Sequence, residues 1–331
     1  MRISNKSVYI PFERNLANIQ ERKYMEETRF ATGNDIVNIG DKPNKLVDIK
    51  QLTSKLAENE QYVGMLEQTT GELLAVEGYL EKISDNIRLM REQTIAATQT
   101  GNTESTYGIA NYVRGLLDDV IASANGDFNG KYLFSGTKTN PNSIDPNNPT
   151  PQTQPFIIVE EEPTEENPSG LRIEFQGNLK ARNINKDRHS QEQINITADE
   201  IFGENGEEFF STIIDLYNLL GYDPEGNKRQ QDDVWTKADT GKADILQQKL
   251  DQIDRQINNA TSKNGTRYSR LESIRQQLIS ENTRLKEFRS IKNDTDYAKT
   301  SINLKQEETA LMYSLQIGGQ LMQNSLFDFL R

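Results

Sequence analysis

Residues 293–330, NDTDYAKTSINLKQEETALMYSLQIGGQLMQNSLFDFL, carry large apolar side chains at helical intervals. The intervals are four or seven residues, which place these side chains on one face of an α-helix. The members of this face are Leu304, Leu311, Leu315, Met322, Leu326 and Leu330, with Phe329 beside the last. We expect the face to pack on a partner, either within this chain or in a second copy.

Two much longer helical patterns precede this stretch. Between about residues 44 and 99, a heptad seam runs through Leu73, Val76, Leu80, Ile83, Ile87 and Met90. A continuous helix of that span would be on the order of 80 Å long. A similar pattern returns over 242–293, and shorter patterns predict helices at 12–32, 103–124 and 208–220. Helices so long and so narrowly apolar need packing partners, so the carboxyl half should return against the amino half.

Glycine and proline mark the ends of these helices. Gly33 is a suitable residue to end the first helix. Asp41 is predicted to cap the second helix, with Pro43 in its first turn. An Asn-Gly pair within 127–136 predicts a β-hairpin.

The centre of the chain, 137–239, differs in composition from its flanks. It contains eight of the ten prolines and 20 acidic against 9 basic residues. Short strands are predicted at 156–159, 171–175 and 194–197. The glutamates at 160–162 and 165–166 indicate a solvated loop rather than a cation site. The predicted fold is therefore mainly α: an elongated antiparallel helical bundle or coiled coil built from both termini, with a small central β-rich (α+β) insertion.

Composition argues against several classes of function. A net charge of -12 supplies no basic surface for nucleic acid. With no cysteine and one histidine, neither a disulfide nor a multi-histidine zinc site can form. No apolar run has membrane-spanning length, so no membrane insertion is expected. No nucleophile–base pair or metal motif is recognisable, and we expect neither a cofactor nor enzymatic activity.

Three ordered motifs resemble the flagellin family. The first is FATGNDIVNIGDKPNK at 30–45, with Gly33, Asp41 and Pro43 at the helix-ending turn and the following helix start. The second is GTRYSRLE at 265–272, similar to the glycine–arginine–leucine turn of the family's returning helix, here with Gly265, Arg270 and Leu271. The third is the run 293–330 quoted above. Together with the helical layout, they cover both flanks of the chain.

Details within the chain are similar to the branch of the family that joins the hook to the filament. The chain begins Met-Arg-Ile-Ser, carries Lys42 between Asp41 and Pro43, and contains GKYLFSGTKT at 130–139. Filament flagellins usually have two acidic residues followed by small ones at the Asp-Lys-Pro position. A filament flagellin remains the alternative, and an enzyme housed in the insertion is the remote one.

The resemblance implies an architecture and a life cycle. Residues 1–43 with 292–331 would form an inner-tube domain that is disordered in the monomer. Residues 44–137 with 201–291 would form a helical rod, and 138–200 an acidic outward-facing insertion. Although no secretion signal is recognisable, the chain would leave the cytoplasm unfolded through the flagellar type III export apparatus and become extracellular in the flagellum.

The resemblance also implies partners. After export, the chain would polymerise at the hook tip with itself, related hook-associated proteins and flagellin. Before export, a cytoplasmic chaperone would cover the carboxyl-terminal helix. The apolar face defined above would serve both contacts in turn.

Overall fold

The computed structural model describes residues 6–98, 106–144, 153–185, 191–230 and 235–329, with side chains between 9 and 320 in these ranges. These residues form a mainly helical fold, which confirms the predicted class. The helices are α1 (Lys6–Thr32), α2 (Pro43–Thr98), α3 (Thr106–Ala124), α4 (Pro141–Ile144), α5 (Ala198–Phe202), α6 (Glu208–Gly221), α7 (Lys237–Asn293) and α8 (Tyr297–Phe329), with a 3₁₀ turn at Glu204–Gly206.

Three small antiparallel hairpins accompany the helices. Strand β1 (Asp127–Phe128) pairs with β2 (Lys131–Tyr132), β3 (Phe156–Glu160) with β4 (Leu171–Phe175), and β5 (Asn183–Asn185) with β6 (Gln191–Gln193). In the second hairpin Ile158 lies opposite Ile173. The sheets are too small to be stable alone, so they depend on the helices for support.

The chain divides into two compact units. Unit 1 comprises residues 1–61 and 278–331, and unit 2 comprises 62–277. Helices α2 and α7 contribute residues to both. The predicted three-part division into inner tube, rod and insertion follows different boundaries and stays a prediction.

Unit 2 contains the large hydrophobic core. All six residues of the predicted heptad seam on α2 are buried. The five from Val76 to Met90 belong to one core cluster with the apolar faces of α3 and α6 and with Leu246, Leu250, Ile253 and Ile257 of α7. Five phenylalanines extend the core toward the second hairpin: Phe134, Phe156, Phe202, Phe209 and Phe210.

Polar contacts fix the antiparallel register of α2 and α7 within unit 2. The fully buried Asn264 donates from its side-chain nitrogen to the backbone oxygen of Leu73 at 2.7 Å. Ser84 donates to Asp254 at 2.9 Å, and these two bonds join residues far apart in the chain. Because such bonds form in only one register, they select among the alignments that an apolar heptad seam would tolerate.

The first hairpin has the predicted Asn-Gly turn and packs on α2. Asn129 and Gly130 have positive φ angles of 53° and 73°, as expected for a two-residue hairpin turn. The Phe128 ring lies above Gly71, where an added Cβ would be 3.0 Å from it. Gly64 and Gly78, the heptad neighbours of Gly71, have no such contact. The heptad recurrence of glycine therefore serves one hairpin contact rather than close helix approach.

The predicted strand at 194–197 is wrong. These four residues are buried and form an extended connection between β6 and α5. The Asn195 side-chain oxygen accepts the backbone N–H of Arg182 at 2.6 Å, where a paired strand would offer a backbone carbonyl. The Asn195 side chain thus takes the place of the next backbone hydrogen bond between the two strands, and the strand pairing ends.

Two details of the predicted helix boundaries also change. Helix α2 begins at Pro43, and Lys42 accepts its first backbone bond from Leu46, so Lys42 and not Asp41 is the N-cap. The Asp41 carboxylate instead accepts the Asn38 N–H at 3.2 Å and closes the preceding turn. Gly265 lies inside the uninterrupted helix α7, so no turn occurs there.

Replacing Gly136 with alanine is expected to destabilise unit 2. Gly136 has φ of 67°, and an added Cβ would lie 1.9 Å from the backbone oxygen of Asn178. The left-handed conformation alone costs a residue with a Cβ about 1–2 kcal/mol, and relieving the clash adds to this. Urea unfolding should show a lower midpoint for Gly136→Ala. As a control, Gly78→Ala adds the same methyl where nothing lies within 4 Å, and it should not lower the midpoint.

Candidate assembly surface

The terminal helices α1 and α8 pack side by side in unit 1. Arg22 donates twice to the Glu307 carboxylate, at 2.8 and 3.0 Å. Phe30 meets Tyr297 edge to face, with 5.7 Å between ring centres. Ascending positions on α1 meet descending positions on α8, so the pair is antiparallel, as the sequence predicted for the two chain halves.

A heptad seam runs along each of these helices. The buried or partly buried residues at this spacing on α8 are Thr300, Leu304, Glu307, Leu311, Ser314 and Gly318, and on α1 they include Phe12, Leu16, Ile19, Lys23 and Glu26. Gly318 makes room for the Phe12 ring, from which an added Cβ would be only 2.6 Å away. Close packing at this end of the seam therefore depends on a residue without a side chain.

The seam buries little apolar surface. Within the described side chains of α1 and α8, every apolar group larger than glycine stays at least partly exposed. The buried positions are Glu26, Thr300 and Gly318. One oxygen of Glu26 binds Arg29 at 2.6 Å, and its other oxygen has no hydrogen-bond partner. This helix pair consequently lacks the buried apolar side chains that stabilise unit 2.

The two helices are joined near their adjacent ends by a backbone clasp. Thr295 donates to the Gly33 carbonyl at 2.8 Å, and Asp35 donates to the Asn293 carbonyl at 2.6 Å. Gly33 has φ of 74°, and the Tyr297 hydroxyl occupies the space where a Cβ would be, 2.7 Å away. Gly33 thus ends α1 as predicted, and it also admits the start of α8.

An ion cluster closes the loop that follows Gly33. The Asp35 carboxylate accepts from Lys42 at 2.5 Å and from Lys45 at 3.0 Å. Partial burial raises the pKa of Asp35, but the bonds and charges of the two lysines outweigh it and hold the pKa below its usual value. This contact therefore stabilises the loop at neutral pH and is lost as pH falls through the lowered pKa.

Unit 1 presents many exposed apolar side chains. They are Ile10, Tyr24, Phe30, Ile39, Val47, Ile279, Phe288, Ile291, Tyr297, Ile302, Met312, Tyr313, Leu315 and Ile317. Isolated examples would be ordinary, but a large set in one unit indicates an interaction surface.

A second apolar row lies on the side of α8 that faces away from α1. Ile302, Tyr313 and Ile317 are 60, 58 and 53% exposed. Their spacing of eleven and four residues places them on one stripe of the helix. A shallow depression between Ile302 and Tyr313 is lined by Lys305, Gln306, Thr309 and Ala310. The sequence reading missed this row, although the same periodicity, applied from Ile302 instead of Leu304, would have found it.

The predicted assembly residues are divided between surfaces. Leu304 and Leu311 lie in the seam and are partly buried. Leu315 is 54% exposed and lies beside the seam. The side chains of Met322, Leu326 and Phe329, and the whole of Leu330, lie outside the described residues, so their predicted contacts stay predictions.

Two of the three residues named for the second motif, Arg270 and Leu271, make contacts within unit 2. Leu271 is fully buried, and Arg270 donates to the Glu192 carboxylate at 3.0 Å. A Cβ added at Gly265 would have nothing within 4 Å apart from its own helix. Leu271 thus supports the core, and Arg270 ties α7 to the third hairpin.

The part of the chain that the structure describes offers neither a membrane-spanning helix nor a metal-binding cluster. Among the helices in these ranges, none combines the length and apolar composition needed to cross a bilayer. Over the same ranges, histidine, aspartate and glutamate side chains do not converge in threes as metal ligands. The exposed apolar surface of unit 1 is therefore the strongest candidate for function.

Comparison with known families identifies the class of fold. Residues 3–139 match the model of the bacterial flagellin N-terminal helical region. This match covers α1 to α3 and the first hairpin, and it confirms the resemblance to the flagellin family. A comparison with curated proteins gave no match.

The chain is also similar in fold to solved structures of flagellar proteins. The chain is similar to a flagellar hook-associated protein of Vibrio parahaemolyticus, with TM-score 0.59 and 18% identity over 76% of this chain and 99% of the other. It is also similar to flagellar hook-associated protein 3 (HAP-3) of Legionella pneumophila, with TM-score 0.56 and 15% identity over 73% and 99% of the two chains. The chain is similar as well to the flagellar junction protein FlgL of Legionella pneumophila, with TM-score 0.50 and 14% identity over 68% of this chain and 99% of the other. At these identities the likeness concerns the fold.

Proposed function

We propose that this protein is a structural subunit of the bacterial flagellum that joins the hook to the filament. The flagellin-type amino-terminal region and a fold similar to hook-associated protein 3 support this function. The Asp-Lys-Pro helix start and the GKYLFSGTKT segment favour the junction over a filament flagellin, which is the second candidate.

The observation that carries the proposal is the contrast between the two units. Unit 2 has a core of fully buried aromatic and aliphatic side chains. In unit 1 the described parts of the terminal helices keep their apolar groups at least partly exposed. A segment gains stability mainly from buried apolar area, so unit 1 gains most when further copies cover it. Such surface is what a polymer subunit requires.

The proposed contacts use the two sides of α8 differently. Leu304 and Leu311 face α1 within the subunit, whereas Ile302, Tyr313 and Ile317 face neighbouring subunits. The partners are further copies, related hook-associated proteins and flagellin in the axial polymer. In this polymer, residues 1–43 and 292–331 form the inner tube. Residues 44–137 and 201–291 form the rod, and residues 138–200 form the outward-facing insertion.

The proposal also includes export of the unfolded chain and protection of its carboxyl-terminal helix before assembly. A chain that passes unfolded through the flagellar type III apparatus is unhindered by disulfides, and this sequence has no cysteine. A cytoplasmic chaperone would bind the carboxyl-terminal helix through its apolar residues, including Leu315, Met322, Leu326, Phe329 and Leu330. The same residues would be released outside the cell, where the subunit joins the hook tip.

We expect the terminal helices of the free monomer to exchange their amide hydrogens far faster than unit 2. Ordering a residue costs about 1–2 kcal/mol, and half-buried side chains recover only part of it. Amide exchange on dilute monomer should therefore show weak protection over 300–320 and strong protection over 76–90. Equal, strong protection of both segments would contradict the proposal, whereas protection of 300–320 that appears on assembly would support it.

A deletion strain examined by electron microscopy tests the function itself. Without the gene, cells should carry hooks that lack filaments and should shed flagellin into the medium. Re-expression of the full chain should restore filaments. Normal filaments in the deletion strain would overturn the junction function, and a strain that sheds no flagellin at all would instead indicate the filament subunit.

A further inference from the structure

Helices α2 and α7 bury little apolar surface in unit 1. Among the side chains that the structure describes there, the buried apolar ones are Leu56 on α2 and Leu285 on α7, at 3 and 8% exposure. At the start of α2 and the end of α7, over 43–55 and 286–293, every side chain is at least partly exposed. These segments therefore have little apolar burial to hold them in place.

A buried asparagine accompanies each of these leucines. Asn59 and Asn282 are 6 and 8% exposed, and each is three residues from the leucine on its own helix. Two ion pairs join the helices around this position: Lys55 with Glu281 at 2.5 Å, and Lys286 with Glu60 at 3.2 Å. These pairs place Asn59 and Asn282 at the same level of α2 and α7. We call the two residues the asparagine layer.

Both members of the asparagine layer carry an unpaired polar atom. The side-chain nitrogen of Asn59 and the side-chain oxygen of Asn282 have no hydrogen-bond partner in the part of the chain that the structure describes. In unit 2, the buried Asn264 also has an unpaired oxygen, but its nitrogen donates to the Leu73 carbonyl at 2.7 Å. A buried polar group without a partner costs stability, because it has lost its bonds to water.

The asparagine layer therefore offsets part of the stability that Leu56 and Leu285 contribute. A single buried asparagine in a coiled-coil seam is known to lower stability in this way. The ion pairs on either side restore little, because their side chains are between 36 and 57% exposed. Both asparagines also lie close in sequence to the boundaries of unit 1, at 61 and 278.

We propose that the asparagine layer is a weak point at which α2 and α7 open in unit 1 while the core of unit 2 stays folded. Segments with few buried apolar contacts open locally, at a lower cost than the whole protein. The remaining contacts of 43–55 and 286–293 include partly exposed ion pairs, such as Lys292 with Asp48. The proposal extends the weakly held part of the chain beyond the terminal helices, and it does not depend on the flagellar function.

Amide hydrogen exchange, followed by mass spectrometry, tests the weak point. In the unsubstituted chain, amides of 46–56 should exchange at least about 100-fold faster than those of 76–90, as expected for local opening. Asn59→Leu combined with Asn282→Leu replaces the unpaired groups with apolar contacts. This variant should slow exchange over 46–56 at least about tenfold and leave 76–90 unchanged.

Three results would overturn the proposal. The first is equal exchange of 46–56 and 76–90 in the unsubstituted chain. The second is a double leucine variant that leaves 46–56 unchanged. The third is a variant that slows both segments by the same factor, because the two segments would then open together.

A matched control adds two leucines at exposed positions of the same helices. Gln61 and Gln277 are exposed, so Gln61→Leu with Gln277→Leu should leave exchange over 46–56 unchanged. Equal slowing by this control would assign the effect to leucine content and overturn the proposal.

A second variant guards against overfilling of the layer by two leucines. Asn59→Leu with Asn282→Ala keeps the total side-chain volume closer to that of two asparagines, and it also removes both unpaired groups. It should slow exchange over 46–56 in the same direction. Failure of both variants to slow exchange would show that the asparagine layer does not control the opening.

Discussion

Replacing Phe202 with alanine should lower the free energy of unfolding of unit 2 by about 3–5 kcal/mol. The Phe202 ring is fully buried and lies within 4.9–6.0 Å of four other rings, measured between centres. Truncation would remove these contacts and leave a cavity between α5, α6 and the second hairpin.

The measurement uses the single tryptophan, Trp235, which packs against the core cluster of unit 2. Urea unfolding followed by its fluorescence should give a lower midpoint with an unchanged slope. Phe202→Leu should recover part of the loss because it restores most of the volume. Phe288→Ala is the matched control: Phe288 is 55% exposed, so its truncation should change stability by less than about 0.5 kcal/mol. Equal midpoints for the two alanine variants would contradict the assignment of the core.

Replacing both Tyr313 and Ile317 with aspartate should reduce filament number at least about tenfold. In the proposed polymer these side chains lie against a neighbouring subunit. Two carboxylates buried there without partners would each cost several kcal/mol, and 1.4 kcal/mol already changes an equilibrium tenfold. The isolated subunit should keep its stability because both side chains are more than half exposed.

The matched control places the same substitution on the proposed outward insertion. Ile158 and Leu179 are 40 and 41% exposed there, and their double aspartate variant should support normal filaments. Filaments are counted by electron microscopy, and the exported protein in the medium is measured to separate assembly from export. Normal filaments with the Tyr313 and Ile317 variant would remove this face of α8 from the assembly surface.

Periodicity predicted the fold class and the main elements, but it misplaced several boundaries. The seam from Leu73 to Met90 is buried as predicted, because a regular interval of three and four residues has only one helical arrangement. The strand at 194–197 was wrong because its buried residues include Asn195, whose side chain replaces a backbone partner. An aspartate such as Asp41 can either cap a helix or close a turn. The structure shows the second role, because the Asp41 carboxylate accepts the Asn38 N–H.

The candidate assembly surface was predictable only in part. The sequence indicated that residues 304–330 form an apolar helix that needs a partner, and it named Leu304 and Leu311, which are partly buried in the seam. The same spacing also marks Ile302, Tyr313 and Ile317 as a second row, but it could not indicate which of the two rows would stay exposed. Both rows satisfy the same helical spacing, and the row that faces α1 is set by contacts such as Arg22 with Glu307, 285 positions apart.

The sequence alone thus determined which segments are helices, how the two halves of the chain pair, and that the carboxyl-terminal helix has an apolar face. These features depend on local spacing and composition, which can be read along the chain. Only the tertiary structure decided which apolar side chains are covered and which remain for a partner. Burial depends on residues distant in sequence, and here the same kind of helix buries its seam in unit 2 but leaves it half-exposed between α1 and α8.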